Sequence, residues 1–266
     1  MPRPDLRLVA TDLDGTLLHT DGTVTERTRT ALAAVEALGV TVVFVTGRPV
    51  RWMRELWQHV GDHGLAVCSN GAVVYDVPAQ AIRLARPIDV TLGLQVVDVL
   101  RAGAPGTTFA VETTRGLSAE PAFPLRGDAG AEVDVGPLPD LLSEVTVKML
   151  ARHEELEPEA FWALTEQLVG HLVTTTWSSL GALVEISALG VTKASTLELL
   201  CTELGIGADE VVAFGDMPND LAMLEWAGTS YAMANAHPTV LELADREALD
   251  HDADGVAVAL EQLFGL

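Results

Sequence analysis

Apolar runs alternate with segments of helical spacing over the first 70 residues of the chain. Residues 25–38 place apolar side chains on one helix face, with Thr25 as the N-cap and Gly39 just past the end. A second helix is predicted at about 49–59. The apolar runs are short and rich in β-branched residues, and they predict buried strands at 6–11, 40–47 and 65–71. This alternation indicates a parallel sheet with right-handed crossovers.

The alternation stops after about residue 80 and resumes near residue 193. The intervening residues are richer in Pro, Gly and Thr, with strands predicted at 144–151 and 172–176 and helices at 90–101 and 157–169. The last part predicts helices at 193–205, 218–226, 238–245 and 255–263 and strands at 210–216 and 229–234. We therefore expect an α/β fold in which a Rossmann-like, doubly wound parallel sheet is interrupted by an inserted α+β domain.

The composition limits the classes of partner. Among 266 residues, 38 are acidic and 16 are Lys or Arg, giving a net charge of −22. Such a field repels nucleic acid and anionic membranes, although local cations or a metal can still hold a small phosphorylated ligand. No apolar run approaches the roughly 18 residues that span a bilayer, and an early aspartate argues against a secretory leader. We expect a cytoplasmic protein with Cys68 and Cys201 as buried, reduced thiols.

Polar side chains follow three of the predicted strands. In parallel sheets, ligands bind beyond the carboxyl ends of the strands, so these side chains are expected to lie together. Clustered carboxylates repel one another unless a cation lies among them, and oxygen ligands with open positions suit Mg²⁺. Hydroxyl, amide and ammonium groups beside the metal would hold phosphate, which indicates phosphoryl transfer. The set comprises Asp12, Asp14, Thr46, Gly47, Arg48, Lys193, Asp216, Asn219 and Asp220.

Each motif taken alone also has a structural explanation. A D-x-D pair is common at strand ends, and Gly215-Asp216 by itself could form a turn. Lys193 alone would be a solvated helix start, although a cation there opposes the helix dipole and calls for a nearby anion. Four such signals in order, each at a strand end or helix start, favour a functional site.

These motifs resemble, in order, the four motifs of haloacid dehalogenase superfamily phosphatases. They are Asp12-x-Asp14-Gly15-Thr16, Thr46-Gly47-Arg48, Lys193 and Gly215-Asp216-x-x-Asn219-Asp220. The stretches "SNGA" (69–72), "AMANA" (232–236) and "DADGVAVALEQLF" (252–264) are similar to landmarks of the Cof-type branch, whose large α/β cap lies between the second and third motifs. The resemblance implies a hydrolase core at 1–85 and 188–266 and a cap that sets substrate specificity at 86–187. Ala194 and Ala234 stand where the family often has glycine.

The resemblance also implies roles for individual residues. Asp12 would be the nucleophile that forms an aspartyl-phosphate, and Asp14 the general acid and base. Mg²⁺ would be bound by Asp12, the backbone carbonyl of Asp14 and Asp216. The phosphoryl group would be held by Thr46, Gly47, Lys193 and Asn219, while Asp220, Arg48 and Asn70 would support the site, Asn70 at the junction with the cap.

The leading hypothesis is a Mg²⁺-dependent phosphatase of small phosphomonoesters such as sugar phosphates or related metabolites. One alternative is a phosphomutase or phosphotransferase of the same superfamily, which would form an isomer instead of releasing phosphate. Another is a non-catalytic binder of phosphorylated ligands, which the presence of both Asp12 and Asp14 disfavours. The physiological substrate and the oligomeric state stay open at this point.

Two further features require an interpretation. The stretch "DHDADGVAVALE" (250–261) has the carboxylate spacing of a calcium-binding EF-hand loop. However, Val258 offers no side-chain oxygen at the ninth position, and apolar spacing predicts a helix from about Gly255, with Asp252 or Asp254 as its N-cap. Lys148, in a predicted strand of the middle segment, is expected to have a surface or structural role, although binding of a substrate anion is an alternative.

Overall fold

The computed structural model describes residues 6–53, 64–125, 133–177 and 181–266. The chain divides into two compact units, one formed by Met1–Arg83 with Thr192–Leu266 and the other by Leu84–Val191. The segment predicted to be a cap, 86–187, lies inside the second unit. None of the helices in these described ranges combines the length and the apolar character needed to cross a bilayer.

The described residues form strands and helices in both units. The strands are β1 Leu8–Thr11, β2 Thr41–Val45, β3 Leu65–Cys68, β4 Val73–Asp76, β5 Ala81–Ala85, β6 Thr108–Thr113, β7 Leu117–Ala119, β8 Asp134–Val135, β9 Thr146–Arg152, β10 Val173–Thr176, β11 Leu183–Ala188, β12 Val211–Gly215, β13 Thr229–Met233 and β14 Arg246–Ala248. The helices are α1 Glu26–Ala37, α2 Val90–Gly103, α3 Leu138–Leu141, α4 Pro158–Val169, α5 Lys193–Leu204, α6 Leu221–Trp226, α7 Pro238–Leu243 and α8 Gly255–Phe264. Residues 50–53 are also helical, and the rest of the helix predicted at 49–59 lies outside the described residues.

The first unit is built on a sheet with the strand order β14-β13-β12-β1-β2-β3-β4-β5. The pairs from β14 to β3 are parallel, and β4 runs antiparallel to β3. Helix α1 packs against α8, and α5 packs against α6. The strand order reverses direction at β1, so a ligand is expected beyond the carboxyl end of that strand. This is the parallel α/β sheet that the sequence predicts.

Local sequence explains how the helices of the first unit begin. The hydroxyl of Thr25 accepts a hydrogen bond from the backbone N–H of Thr28 and so caps α1, as predicted. Helix α5 begins with a capping box in which Thr192 and Ser195 each accept a hydrogen bond from the other's backbone N–H. That capping box fixes Lys193 at the first position of α5, as the sequence predicts.

Some predicted boundaries are wrong, whereas the N-cap position predicted at Asp254 is confirmed. The strand predicted at 65–71 ends at Cys68, because Ser69 and Asn70 adopt positive φ values of 52° and 55° in a short 3₁₀ turn. The predicted helix at 218–226 begins with a 3₁₀ turn over its first three residues. Asp254 occupies the N-cap position of α8, but its side chain makes no capping hydrogen bond.

The second unit has a sheet with the order β10-β11-β9-β6-β7-β8, in which only β7 and β8 pair in parallel. Side chains on one face of this sheet, among them Phe109 and Met149, pack with α2 and α4 into a hydrophobic core. Lys148 points to the other face and is buried, with its Nζ atom 2.6 Å from Glu185 Oε1. The surface position considered for Lys148 is therefore wrong, and a structural ion pair is present instead.

Candidate active site

Three carboxylates converge beyond the carboxyl ends of the two central strands. Asp12 directly follows β1, and its backbone N–H donates to the carbonyl of Phe214 in β12 at 3.0 Å. Asp216 directly follows β12, and Asp220 lies four residues further along. One carboxylate oxygen from each of the three lies within 4.8 Å of the other two, and all three residues are buried. The position is the one that the strand order predicts for a ligand.

Lys193 is the cation at the centre of this group. Its Nζ atom lies 2.6 Å from Asp12 Oδ1 and 2.7 Å from Asp220 Oδ1, and its side chain is only 2% exposed. The other oxygen of Asp220 accepts hydrogen bonds from the backbone N–H groups of Asp216 and Met217, at 3.1 Å each. Both oxygens of Asp220 are thus engaged, which fits a role in holding the lysine rather than in binding a metal directly.

The charges in the cluster do not balance. Burial raises the pKa of Asp12 well above its usual range, and the charges of Asp220 and Asp216 add to that rise, while Lys193 opposes it. Burial and the charge of Asp220 raise the pKa of Asp216 to about 7. Burial alone would lower the pKa of Lys193, but Asp12 and Asp220 outweigh it and raise that pKa above its ordinary value. Three carboxylates against one ammonium leave a deficit of positive charge.

The donor set fits a hard divalent cation. Asp12 and Asp216 offer carboxylate oxygen, the ligand that Mg²⁺ prefers, while Asp220 holds Lys193 beside them. Asp216 is held in place because its Oδ1 atom accepts a hydrogen bond from the hydroxyl of Thr16 at 2.9 Å. Gly15 has a φ of +74°, and a Cβ atom there would lie 2.4 Å from Asp216 Oδ2. The backbone of Gly15 therefore approaches the carboxylate as only glycine can.

The second motif lies at the end of β2. Thr46 is buried, its N–H donates to the carbonyl of Val67, and its hydroxyl accepts from the N–H of Arg48 at 3.0 Å. The N–H of Asn70 donates to the carbonyl of Thr46 at 3.0 Å, which joins the turn after β3 to this motif. Gly47 lies between Thr46 and Arg48, where the chain leaves the sheet.

Arg48 contacts the first motif in a way that the sequence does not reveal. Its Nε and Nη2 atoms donate to the two carboxylate oxygens of Asp14, at 2.8 and 2.5 Å. The hydrogen bonds to Asp14, together with its charge, raise the pKa of Arg48 above its ordinary value. Asp14 is exposed, so the pair is open to solvent and can be exchanged for other partners.

Asn219 joins the third strand end to Asn70. Its Nδ2 atom donates to Asn70 Oδ1 at 3.2 Å. The Oδ1 atom of Asn219 is buried and has no hydrogen-bond partner among the residues that the structure describes. Because unpaired buried polar atoms are rare and costly, this atom marks a place where a bound ligand can supply the missing partner.

Three residues of this site lie outside the predicted set. Thr16 supports Asp216 through its hydroxyl, as described above. The Nδ2 atom of Asn235 donates to the carbonyl of Gly15 at 2.8 Å, and the backbone N–H of His237 donates to the carbonyl of Asp216 at 2.8 Å. Thr16 lies within the D-x-D-G-T motif and Asn235 within "AMANA". Both motifs therefore include the residue, although neither predicts the contact that it makes.

The raised pKa of Asp216 predicts a pH-dependent stability of the metal-free protein. Between about pH 4 and pH 7 the folded chain keeps a proton on Asp216 that the unfolded chain releases, so this stabilisation is lost as the pH rises through that range. The contribution is at most about 1.4 kcal/mol for each unit of pKa shift. We expect the melting temperature in EDTA to fall from pH 5.5 to pH 8, and to fall less in Asp216→Asn.

The control for this comparison is Asp245→Asn, because Asp245 accepts hydrogen bonds from Ser230 in the same unit and lies outside the cluster. This variant should keep the wild-type difference between the two pH values. An Asp216→Asn variant with the full wild-type difference would contradict the assignment of the proton to Asp216.

Comparisons with known proteins give a matching family model, related phosphatases and a similar fold. A model of the haloacid dehalogenase-like hydrolase family matches residues 9–260. The 5-amino-6-(5-phospho-D-ribitylamino)uracil phosphatase YcsE of Bacillus subtilis is 30% identical over 264 residues, covering 96% of this chain and 95% of that protein. The pyridoxal phosphate phosphatase YbhA of Escherichia coli is 28% identical over 264 residues, covering 94% and 96%. A haloacid dehalogenase-like hydrolase from Bacteroides thetaiotaomicron has a similar crystal structure, with a TM-score of 0.80 at 22% identity over 97% of this chain and 100% of that one.

Proposed function

The chain belongs to the haloacid dehalogenase-like hydrolase family, and we propose that it hydrolyses small phosphomonoesters with Mg²⁺ through an aspartyl-phosphate on Asp12. The predicted family and the predicted class of enzyme, a phosphoric monoester hydrolase, are confirmed by the family match and the related phosphatases. The observation that carries the finer proposal is the buried group of Asp12, Asp216 and Asp220 around Lys193.

Asp12 has one carboxylate oxygen held by Lys193 and the other available for attack. Its Oδ1 atom accepts a hydrogen bond from Lys193, while its Oδ2 atom makes no hydrogen bond within the described ranges of the chain. In the first step, Oδ2 attacks phosphorus and the bond from phosphorus to the leaving alcohol breaks. In the second, water attacks the same phosphorus, the aspartyl-phosphate bond breaks, and Asp12 is regenerated as phosphate departs.

Asp14 is positioned two residues from the nucleophile and can move protons in both steps. It would protonate the departing alkoxide and then remove a proton from the hydrolytic water. To do so, the Asp14 carboxyl must exchange its two hydrogen bonds with Arg48 for the leaving-group oxygen. The exposure of the Asp14 carboxyl makes this exchange inexpensive, and the released guanidinium of the half-buried Arg48 adds positive charge near the substrate.

The remaining groups would hold the phosphoryl oxygens. Lys193 supplies an ammonium, Thr46 a hydroxyl hydrogen, Gly47 a backbone N–H and Asn219 an amide. When bound by Asp12, Asp216 and the carbonyl of Asp14, Mg²⁺ would supply positive charge against the carboxylates and the phosphoryl group. Asp220 would hold Lys193 in place, and the ammonium and the metal together would offset locally the field of a chain whose net charge is −22.

The substrate class follows from the relatives and from the charge of the chain. Both related phosphatases named above act on small phosphorylated metabolites, according to their names. We extend this class, with sugar phosphates among its members, to the present chain, and we place the choice among substrates in the second unit. The acidic surface disfavours nucleic acid and membrane partners, which agrees with a cytoplasmic enzyme.

Removal of the metal tests the proposal. Because the site lacks positive charge without a divalent cation, treatment with EDTA should abolish the release of phosphate from p-nitrophenyl phosphate, and excess Mg²⁺ should restore it. Inorganic phosphate is measured directly, so that hydrolysis is distinguished from isomer formation. Activity that withstands exhaustive chelation would contradict the metal assignment.

A further inference from the structure

The acidic stretch that resembles an EF-hand contacts the segment that follows the nucleophile. We call residues 250–254 the acidic turn. Asp254 Oδ1 accepts hydrogen bonds from the hydroxyls of Thr25 at 2.7 Å and Thr28 at 3.2 Å, and it lies 3.0 Å from His19 Nε2. Asp252 accepts from the N–H of Thr20 at 2.8 Å and from its hydroxyl at 2.7 Å. These carboxylates hold the far half of the segment between β1 and α1.

Asn235 connects the same turn to the near half of that segment. Its Nδ2 atom donates to the carbonyl of Gly15 at 2.8 Å, and its Oδ1 atom accepts from the backbone N–H of His251 at 3.1 Å. One amide side chain therefore bridges the acidic turn and the peptide that joins Gly15 to Thr16.

The Gly15–Thr16 peptide needs contacts with other parts of the chain to keep its orientation. Glycine restricts its own backbone less than any other residue, so a peptide beside it rotates easily unless it is held. On one side of this peptide, the backbone of Gly15 lies against Asp216, with room for no Cβ atom. On the other side, the hydroxyl of Thr16 donates to Asp216 Oδ1. A rotation of the peptide would therefore move Thr16 away from Asp216 and change the direction of Asp14.

We propose that Asn235 is a positioning residue for catalysis, which fixes the Gly15–Thr16 peptide and through it Asp14, Thr16 and Asp216. This role rests on the proposed function. It also gives the acidic turn a purpose that involves no bound calcium: the turn presents the N–H of His251 that orients the Asn235 amide. The aspartates of the turn stabilise the distal segment, whereas the side chain of Asn235 contacts the peptide next to the reacting groups.

The substitution Asn235→Asp separates these two roles. Aspartate keeps an oxygen that can accept from His251, but it places a carboxylate oxygen against the carbonyl of Gly15 where a donor is needed. With p-nitrophenyl phosphate and Mg²⁺, we expect kcat to fall about tenfold with KM within about twofold, because misplacement of reacting groups acts on the transition state. Asn235→Ala, which removes both bonds, should lose a similar factor in kcat.

The matched control is Asp252→Asn, which weakens the acidic turn without touching Gly15. It should lower the melting temperature and leave kcat unchanged. A wild-type kcat in Asn235→Asp, or an equal loss of kcat in Asp252→Asn, would overturn the positioning role while the proposed function still stands.

Hydrogen exchange provides a readout that does not depend on activity. The N–H of Thr16 donates to the carbonyl of Leu13 at 3.3 Å, so rotation of the peptide exposes it. In the metal-free protein we expect faster exchange at residues 13–17 in Asn235→Asp than in wild type or Asp252→Asn. Unchanged exchange would overturn the inference even if the wild-type protein failed to hydrolyse the ester, an outcome that would refute the proposed function separately.

Discussion

Replacing Asp12 with asparagine is expected to lower kcat for phosphomonoester hydrolysis by at least about a thousandfold. An amide oxygen is a poor nucleophile and cannot form the acyl phosphate through which turnover proceeds. The fold should be retained, because asparagine has the same shape and can still accept a hydrogen bond from Lys193 through Oδ1. The melting temperature of the metal-free protein should be unchanged or higher, since one of three mutually repelling buried carboxylates is removed.

The measurement is steady-state release of phosphate with saturating Mg²⁺, accompanied by thermal unfolding in EDTA. Asp245→Asn makes the same chemical change outside the cluster and should retain wild-type turnover. Mass spectrometry of the purified variant excludes deamidation back to aspartate. Wild-type turnover by undeamidated Asp12→Asn would be incompatible with a nucleophilic Asp12.

Replacing Lys193 with methionine should be nearly as damaging to activity and should also destabilise the fold. The substitution leaves Asp12 and Asp220 buried without their shared cation. Removing one partner from a buried ion pair typically costs about 3–5 kcal/mol of unfolding free energy. We expect a loss of this size at pH 8 and a smaller one at pH 5.5, where Asp12, whose pKa is raised by burial, can take up a proton. Turnover should fall at least about a hundredfold.

Urea unfolding at the two pH values measures the loss of stability. Adding Asp220→Asn to the Lys193→Met variant should restore part of the unfolding free energy and none of the activity. Lys148→Met is the matched control, because it removes a buried lysine from the ion pair with Glu185 in the other unit. A Lys193→Met variant with wild-type stability at pH 8 would show that the ammonium does not compensate Asp12 and Asp220.

The central part of the fold could be predicted because its strands are continuous apolar runs. Leu8–Thr11 are all buried, and so is nearly all of Thr41–Val45, which leaves a long uninterrupted signal in the sequence. The order of the motifs along the chain then placed the site residues at the correct edge of the sheet, because parallel strands bring their carboxyl ends together. The position of these residues at the sheet edge follows from the strand order, so it can be predicted without knowledge of side-chain contacts.

One strand that escaped prediction, at the edge of the sheet, lacks such a signal. Ala81–Ala85 lies at the sheet edge with mostly exposed side chains, so its composition does not distinguish it from a loop. The strand Thr108–Thr113 pairs with residues about 40 positions away, and the burial of Lys148 depends on Glu185, which is 37 positions away. Partners this distant in sequence are set by tertiary pairing, which local patterns do not encode.

The contacts within the site could not be predicted from the motifs either. The bidentate pair of Arg48 with Asp14 joins residues 34 positions apart, and the bond from Asn235 to Gly15 joins residues 220 positions apart. The acidic turn illustrates the same limit. Apolar spacing already argues against a calcium site there, but it does not reveal that the oxygens of Asp252 and Asp254 accept hydrogen bonds from hydroxyls and a backbone N–H of the first unit.

The most direct test of the account is to trap the covalent intermediate. Wild-type enzyme is quenched during turnover and treated with borohydride, which reduces an aspartyl-phosphate to homoserine. Trypsin releases residues 8–27, a peptide that contains Asp12, Asp14 and Asp21, and tandem mass spectrometry locates the reduced residue. We expect homoserine at position 12, and we expect its formation to depend on both substrate and Mg²⁺. Homoserine at another aspartate, or none at position 12 under conditions of rapid turnover, would contradict it.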